Sequence, residues 1–314
     1  MSEKKKKKRV WLWVILSIFF VLIIIFCGIF LLYSLMRGVL GYIPMGESIA
    51  LIRIEGVISD SESASLLFGA GTEPEKIIDQ LHKAEENTNV KAIILRINSP
   101  GGTAAASQEI YREIIMRTKK PTITSIGDIC ASGAYYVASS TDWIIANESS
   151  SVGSIGVIMQ FPNYQGLYEK LGIRTETFTK GKYKDIGSPT RELTDEERKL
   201  IDEKLQIVYE QFIRDVAKGR DMTVEKVEEL ATGYVFVGSE SLDLKLIDEF
   251  GNYQDAIRKA IELGEIKGKP SIIDFKKPTL FDTLLFGGIK ILRELILTNN
   301  YLNFPNQMEG QIIR

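Results

Sequence analysis

The sequence predicts an α/β domain, a mostly parallel sheet covered by helices, with a helical C-terminal part and one transmembrane helix in front. Three observations carry this expectation. Short β-branched apolar runs alternate with helical patterns from about residue 49 to 179, as a covered parallel sheet requires. From Thr194 the pattern turns helical. Val10 to Met36 contains no charged residue and is bounded by Arg9 and Arg37.

As a helix, residues 10–36 would be about 40 Å long, enough to cross a hydrocarbon core of roughly 30 Å. Trp11, Trp13 and Tyr33 lie near its ends, where amphipathic rings favour the membrane interface. A cleaved signal peptide would need an apolar region of about 7–15 residues and a small-residue cleavage site, and neither is present. Six cations before the segment, against Arg37 alone just after it, place the N-terminus in the cytoplasm and the rest of the chain outside. The expected order is a basic tail (1–9), the anchor (10–36), a linker (37–47), one soluble domain (48–270) and a C-terminal extension (271–314).

Within the soluble domain, IALIRIEG (49–56) reads as a strand. PEKIIDQLHKAEEN (74–87) reads as a helix with Ile77, Ile78, Leu81 and Ala84 on one side. VKAIILRIN (90–98) is a buried strand stopped by Ser99-Pro100-Gly101-Gly102. A helix over about 104–118, a strand over 121–127 and a helix over 131–140 follow. Further strands are expected at 142–148, 152–160 and 175–179. Thr194-Asp195-Glu196-Glu197 is a capping box opening a helix of about 24 residues. Helices over 223–231 and 252–263 come next. Leu280 to Leu297 is interrupted by Asp282, Lys290, Arg293 and Glu294, so an amphipathic or core-packing helix is expected there rather than a second anchor.

Composition excludes several kinds of chemistry. The 314 residues include 39 Lys and Arg against 41 Asp and Glu. Residues 1–9 hold six of the cations and one acid, so the remainder has 33 against 40, a net charge of −7. An acidic remainder argues against nucleic acid as a partner. Of two cysteines, Cys27 lies in the apolar segment, so the soluble part cannot form its own disulfide around Cys130. No Cys/His metal cluster can be assembled. The single histidine, His82, removes any Ser-His mechanism unless it is itself the base, and its charged helical surroundings fit a surface residue better.

Two small-residue turns follow strands. In Asn98-Ser99-Pro100-Gly101-Gly102, adjacent glycines permit positive φ and close approach by a ligand. The following helix start offers free N–H groups for a developing oxyanion. In Ala131-Ser132-Gly133-Ala134-Tyr135-Tyr136, a serine flanked by small residues begins a helix, as either an ordinary cap or a nucleophile. Cys130 is a rival nucleophile, better read as a buried small residue. Without a histidine nearby, a serine nucleophile needs a neutral lysine. At a pKa near 10.4 about one lysine in 2,500 is uncharged at pH 7, and lowering that pKa to about 7 requires roughly 4.6 kcal/mol. Burial among apolar and hydroxyl groups can supply it. The candidates are Lys180, Lys182 and Lys184. If the strand continues they share one side, so spacing does not choose between them.

Asn98 to Gly102, Ala131 to Tyr136, Gly153 to Met159 and Tyr183 to Pro189 occur in an order and spacing that resemble the signal peptide peptidase A (SppA) family of serine peptidases, in its short, single-copy, membrane-anchored form. The resemblance spans most of residues 48–265. It implies a Clp protease/crotonase-like fold of ββα units and a Ser-Lys dyad. Position by position, it implies Ser132 as nucleophile, Lys184 as general base and Ser154 as the hydroxyl orienting that lysine. It also implies an oxyanion hole from the backbone N–H groups of Gly102 and Gly133. No cofactor is expected. The expected partners are apolar peptides, such as cleaved signal peptides left in the membrane, and further copies of the chain that share sites in a ring or dome. The competing readings are a non-catalytic membrane scaffold with the same fold and a crotonase-type acyl-CoA enzyme. The latter fits poorly with an outward-facing domain.

Overall fold

The computed structural model describes residues 46–60 and 71–275, together with helical positions 13, 17, 19–26, 28 and 30. Among the described residues no helix is long and apolar enough to cross a membrane. The anchor expected over 10–36 lies largely outside them. Cys27 and the helix expected near 280–297 lie wholly outside.

The soluble unit runs from Gly46 to Phe275. Its strands are β1 (Ser48–Glu55), β2 (Val90–Ser99), β3 (Thr122–Ala131), β4 (Trp143–Ala146), β5 (Ser151–Gly153), β6 (Val235–Val237), β7 (Glu249–Phe250) and β8 (Ser271–Asp274). Its helices are α1 (Pro74–Glu86), α2 (Ala104–Arg117), α3 (Gly133–Ala138), α4 (Gln165–Lys170), α5 (Asp195–Gly219), α6 (Val224–Leu230), α7 (Gly238–Asp243) and α8 (Tyr253–Leu263). The sheet runs β6-β5-β3-β2-β1-β8, with β4 beside β3 and β7 beside β4. Every pair is parallel except β5 with β6. β8 joins the sheet beside β1, beyond the boundary drawn at residue 270.

The apolar runs of β1 and β2 lack polar alternation because both faces of the sheet are covered. Ala50, Ile52, Ile54, Ile93, Leu95 and Ile97 pack on the side of α1, α2, α3 and α5. Ile49, Leu51, Ala92 and Ile94 pack against Ala256 and Ala260 of α8 on the other side. Each of these ten side chains is at most 2% exposed.

The sheet changes partners where the site begins. Ile123 to Ser125 of β3 pair with β4, whereas Ile129 to Ala131 pair with β5. The β2–β3 register shifts between Ile97 and Ser99. There the Asn98 side-chain oxygen accepts the N–H groups of Asp128 and Ile129, both at 3.1 Å, replacing the interrupted ladder. The strand expected over 152–160 is reduced to β5, and 175–179 is no strand. Residues 157–179 do not pair with the sheet and are largely exposed, so their apolar side chains did not mark a strand of this chain's core.

Candidate active site

Ser132 stands between the end of β3 and the first turn of α3. Its φ of 51° and ψ of −125° are unusual for a non-glycine residue, a conformation costing of order 1–3 kcal/mol. The surroundings hold it there. Its N–H donates to the Gly153 carbonyl at 2.8 Å, and its own carbonyl accepts the Tyr136 N–H at 2.9 Å. The result is chemically useful, because the hydroxyl makes no capping bond to the helix although the residue occupies the cap position. It instead lines two adjoining clefts, of about 500 and 830 Å³.

The glycine turn is built against this serine. Ser99 Oγ donates to the Gly56 carbonyl at 2.5 Å and accepts the Gly101 N–H at 3.1 Å. Ile58 donates to the Gly101 carbonyl and accepts from the Thr103 N–H, both at 2.9 Å. Gly101 has a φ of +107°, and a Cβ there would lie 2.9 Å from Ser132 Cβ and 2.8 Å from Gly133 N. A Cβ on Gly102 would lie 1.8 Å from the Ile58 carbonyl oxygen. The Gly102 and Gly133 N–H groups donate to no acceptor among the described residues. The two residues are close neighbours: a Cβ on Gly133 would sit 3.2 Å from Gly102 N and 2.2 Å from Ser107 Oγ. Two free N–H groups beside an uncommitted hydroxyl are what an acyl-transfer oxyanion requires.

The smaller cleft is lined by Ser132 and Ser154 together with Asp202, Gln206 and Tyr209 of α5. Ser154 also has a positive φ, of 51°. Its N–H donates to the Tyr234 carbonyl at 2.8 Å, and its hydroxyl to the Gly233 carbonyl at 3.2 Å. The larger cleft is mainly apolar and passes Gly102, Gly133, Tyr136, Val157 and Phe212. Its wall is rigid. Tyr136 stacks on Tyr111 at 4.8 Å, meets Phe212 edge-on at 4.9 Å and hydrogen-bonds to Asp215. Burial pushes the Tyr111 phenol up to about 12; burial and the Asp215 bond push that of Tyr136 upward too. Both therefore stay neutral near pH 7.

The rival groups stand elsewhere. Cys130 is fully buried, and burial pushes its thiol well above the usual range, which leaves it inert. His82 Nε2 lies 2.6 Å from Glu113 Oε1 and lines neither cleft.

The lysine segment does not continue a strand. Residues 181–187 form successive turns, with Lys184 N–H donating to the Gly181 carbonyl at 3.2 Å and Ser188 N–H to that of Asp185 at 2.9 Å. Lys180, Lys182 and Lys184 are exposed, and none lines either cleft of the same chain. The segment is nevertheless fastened to the first turn of α5. Glu196 accepts from Lys182 Nζ at 2.7 Å and from the Tyr183 hydroxyl at 2.5 Å. Arg191 donates from Nε to Asp185 Oδ2 at 2.9 Å and from Nη2 to the Asp185 carbonyl at 3.4 Å. It also donates to both carboxylate oxygens of Glu197, at 2.8 and 2.6 Å, and to the Glu192 carbonyl at 2.9 Å. Glu197 at the same time accepts the Thr194 N–H at 2.9 Å, completing the expected capping box. The Arg191 bonds hold the carboxyls of Glu197 and Asp185 below their usual range, Glu197 at about 2.

Sequence reasoning identified the two turns, with the adjacent Gly101 and Gly102 as a place for positive φ, which Gly101 has, but missed Ser107 and Arg191. Ser107 and Arg191 carry no periodic signal, since their partners are set by folding.

The model of peptidase family S49 matches residues 115–267, and that of Clp protease residues 71–149. The chain is 34% identical over 235 residues to a protein named signal peptide peptidase SppA in Enterococcus faecium, covering 74% of this chain and 68% of that one. It is 34% identical over 237 residues to protease 4 of Haemophilus influenzae, covering 73% and 37%. It is 35% identical over 257 residues to the chloroplastic serine protease SPPA of Arabidopsis thaliana, covering 81% and 38%. The chain thus spans about two thirds of the first relative and under two fifths of the other two. With the fold and the serine turn in place, these matches establish that the chain belongs to peptidase family S49, the SppA family of serine peptidases.

Proposed function

We propose that the chain is a membrane-anchored serine endopeptidase in which Ser132 attacks a peptide carbonyl and Lys184 removes the serine proton. The observation that carries this reading is the uncommitted Ser132 hydroxyl beside the free N–H groups of Gly102 and Gly133. Attack forms a bond from Oγ to the carbonyl carbon, and the two amides hold the oxyanion. The protonated lysine then gives its proton to the leaving amine, and water releases the acyl group from Ser132. Ser154, in the same cleft as Ser132, orients the lysine.

Lys184 is exposed in one chain and lines neither Ser132 cleft there. The reading therefore places the Lys184 of one copy over the Ser132 cleft of another, with burial there lowering the charge. Exposed apolar groups between Ser154 and Lys184 support such a packing: Ile158 is 78% exposed, Leu171 62% and Phe178 92%. An extended peptide entering the larger cleft would meet an apolar lining, which fits apolar substrates such as cleaved signal peptides. The uncharged stretch 10–36 would hold the enzyme beside them in the cell membrane, N-terminus inside.

The test is hydrolysis of a short apolar peptide amide by the full-length protein, alongside labelling with a fluorophosphonate. The proposal expects turnover and labelling that both disappear in Ser132→Ala. Persistence of either in that variant overturns it.

A further inference from the structure

Lys184 itself makes no side-chain hydrogen bond or ion pair among the described residues, yet the chain on both sides of it is tied to one structure, the first turn of α5. Arg191 is the centre of that attachment. Its Nε, Nη1 and Nη2 make five hydrogen bonds, to Asp185, Glu192 and Glu197, and a guanidinium has five N–H groups to give. One partner is Asp185, adjacent to Lys184 in sequence. Another is Glu197, whose side chain is 5% exposed and which also caps α5. Farther along, the same helix contributes Asp202, Gln206 and Tyr209 to the cleft of Ser132 and Ser154.

Resting on the dyad reading above, we propose that Arg191 is a positioning residue for the general base: by joining Asp185 to Glu197 it fixes the Lys184 turn on α5, so that the amine is presented at a set place. Arg191 lines neither Ser132 cleft, and it acts through the backbone and side chain of Asp185. A planar guanidinium is suited to this task, because it grips two carboxylates and two carbonyls at once, whereas a lysine ammonium is a single point charge. The turn needs such a fastening because 181–187 has no strand or helix pairing to hold it. Glu196, through Lys182 and Tyr183, limits motion on the other side of Lys184.

A displaced base changes the rate of the chemical step and leaves substrate binding alone, so the signature is in kcat. In the full-length enzyme, Arg191→Ala should lower kcat on the order of 100-fold, the scale of an ångström-sized misplacement, with KM changed less than about twofold. Arg191→Lys should recover only part of the loss. Added guanidinium ion at millimolar concentration should raise kcat of Arg191→Ala several-fold and leave Lys184→Ala unaffected. Combining Arg191→Ala with Asp185→Asn should cost no more than Arg191→Ala alone, since both break one attachment. Thermal melts check that each variant is folded, and the Arg191→Lys comparison stands if Arg191→Ala is not.

A wild-type kcat in folded Arg191→Ala, or a raised KM with no rescue of kcat by guanidinium, overturns the positioning role. The dyad reading is judged separately. If Lys184→Ala keeps its activity, the dyad falls. If Lys184→Ala is inactive while Arg191→Ala and Arg191→Lys both match wild type, only the role of Arg191 falls.

Discussion

The serine turn and the lysine turn carry the two halves of the proposed chemistry, and the chain treats them differently. Ser132 lies at the meeting of β3, β5 and α3, where Gly101, Gly102 and Gly133 leave no room for a Cβ without a clash. Its geometry is complete within one chain. Lys184 lies on exposed turns held by charged side chains, with neither an apolar cover nor a hydroxyl partner among the described residues. On the proposed reading, the difference teaches that a serine can be strained into place by a core, while a lysine left exposed by its own chain would need a second surface to dry it.

Five perturbations break or sharpen that contrast. The largest effect is expected on the serine side: Ser132→Ala should lower kcat by at least about 10⁴-fold with the fold intact, measured by peptide hydrolysis and a thermal melt. Gly133→Ala comes next. Its Cβ would lie 2.2 Å from Ser107 Oγ, so the amide must shift, and the loss of one oxyanion donor is worth on the order of 100- to 1,000-fold in kcat. Normal kinetics in that variant would mean that Gly133 N–H holds no oxyanion.

On the lysine side the consequences should be milder and tied to assembly. Phe178→Ser removes an exposed aromatic, so monomer stability should change by less than about 0.5 kcal/mol. Sedimentation should show weaker self-association, accompanied by a loss of about tenfold in activity, about 3 log units less than a direct hit on the serine. Unchanged assembly would remove Phe178 from the interface. Lys180→Ala should leave both properties as they are. The smallest effect concerns acid. Glu197 has a folded carboxyl at about 2 against an ordinary 4.5, so its contribution to stability is present above about 4.5 and is lost as pH falls towards 2. Limited proteolysis of 180–190 should therefore stay constant from pH 7 to about 5. A rise in cutting already at pH 6 would contradict the arrangement around Arg191.

Much of the fold could be read from residue pattern alone, and the reason is local. VKAIILRIN is apolar on both faces because both faces are buried, and Thr194 to Glu197 satisfy their own helix end within four residues. The serine turn was legible as small residues after a strand, although its conformation was not. Whether Ser132 caps α3 or turns away depends on Gly153, which is remote in sequence and meets it through β5. The stretch 157–179 misled for a related reason. Its apolar side chains meet solvent in the single chain, so periodicity built on burial has no meaning there until another surface is present. The fastening by Arg191 was invisible because an ion cluster leaves no spacing rule in the sequence.

The most direct test mixes two inactive full-length variants, Ser132→Ala and Lys184→Ala, carrying different tags, and measures peptide hydrolysis in oligomers isolated through both tags. If the base of one copy serves the nucleophile of another, activity returns in the mixed oligomers and neither variant alone shows it. Mixed oligomers that contain both tags and cleave nothing would contradict the account.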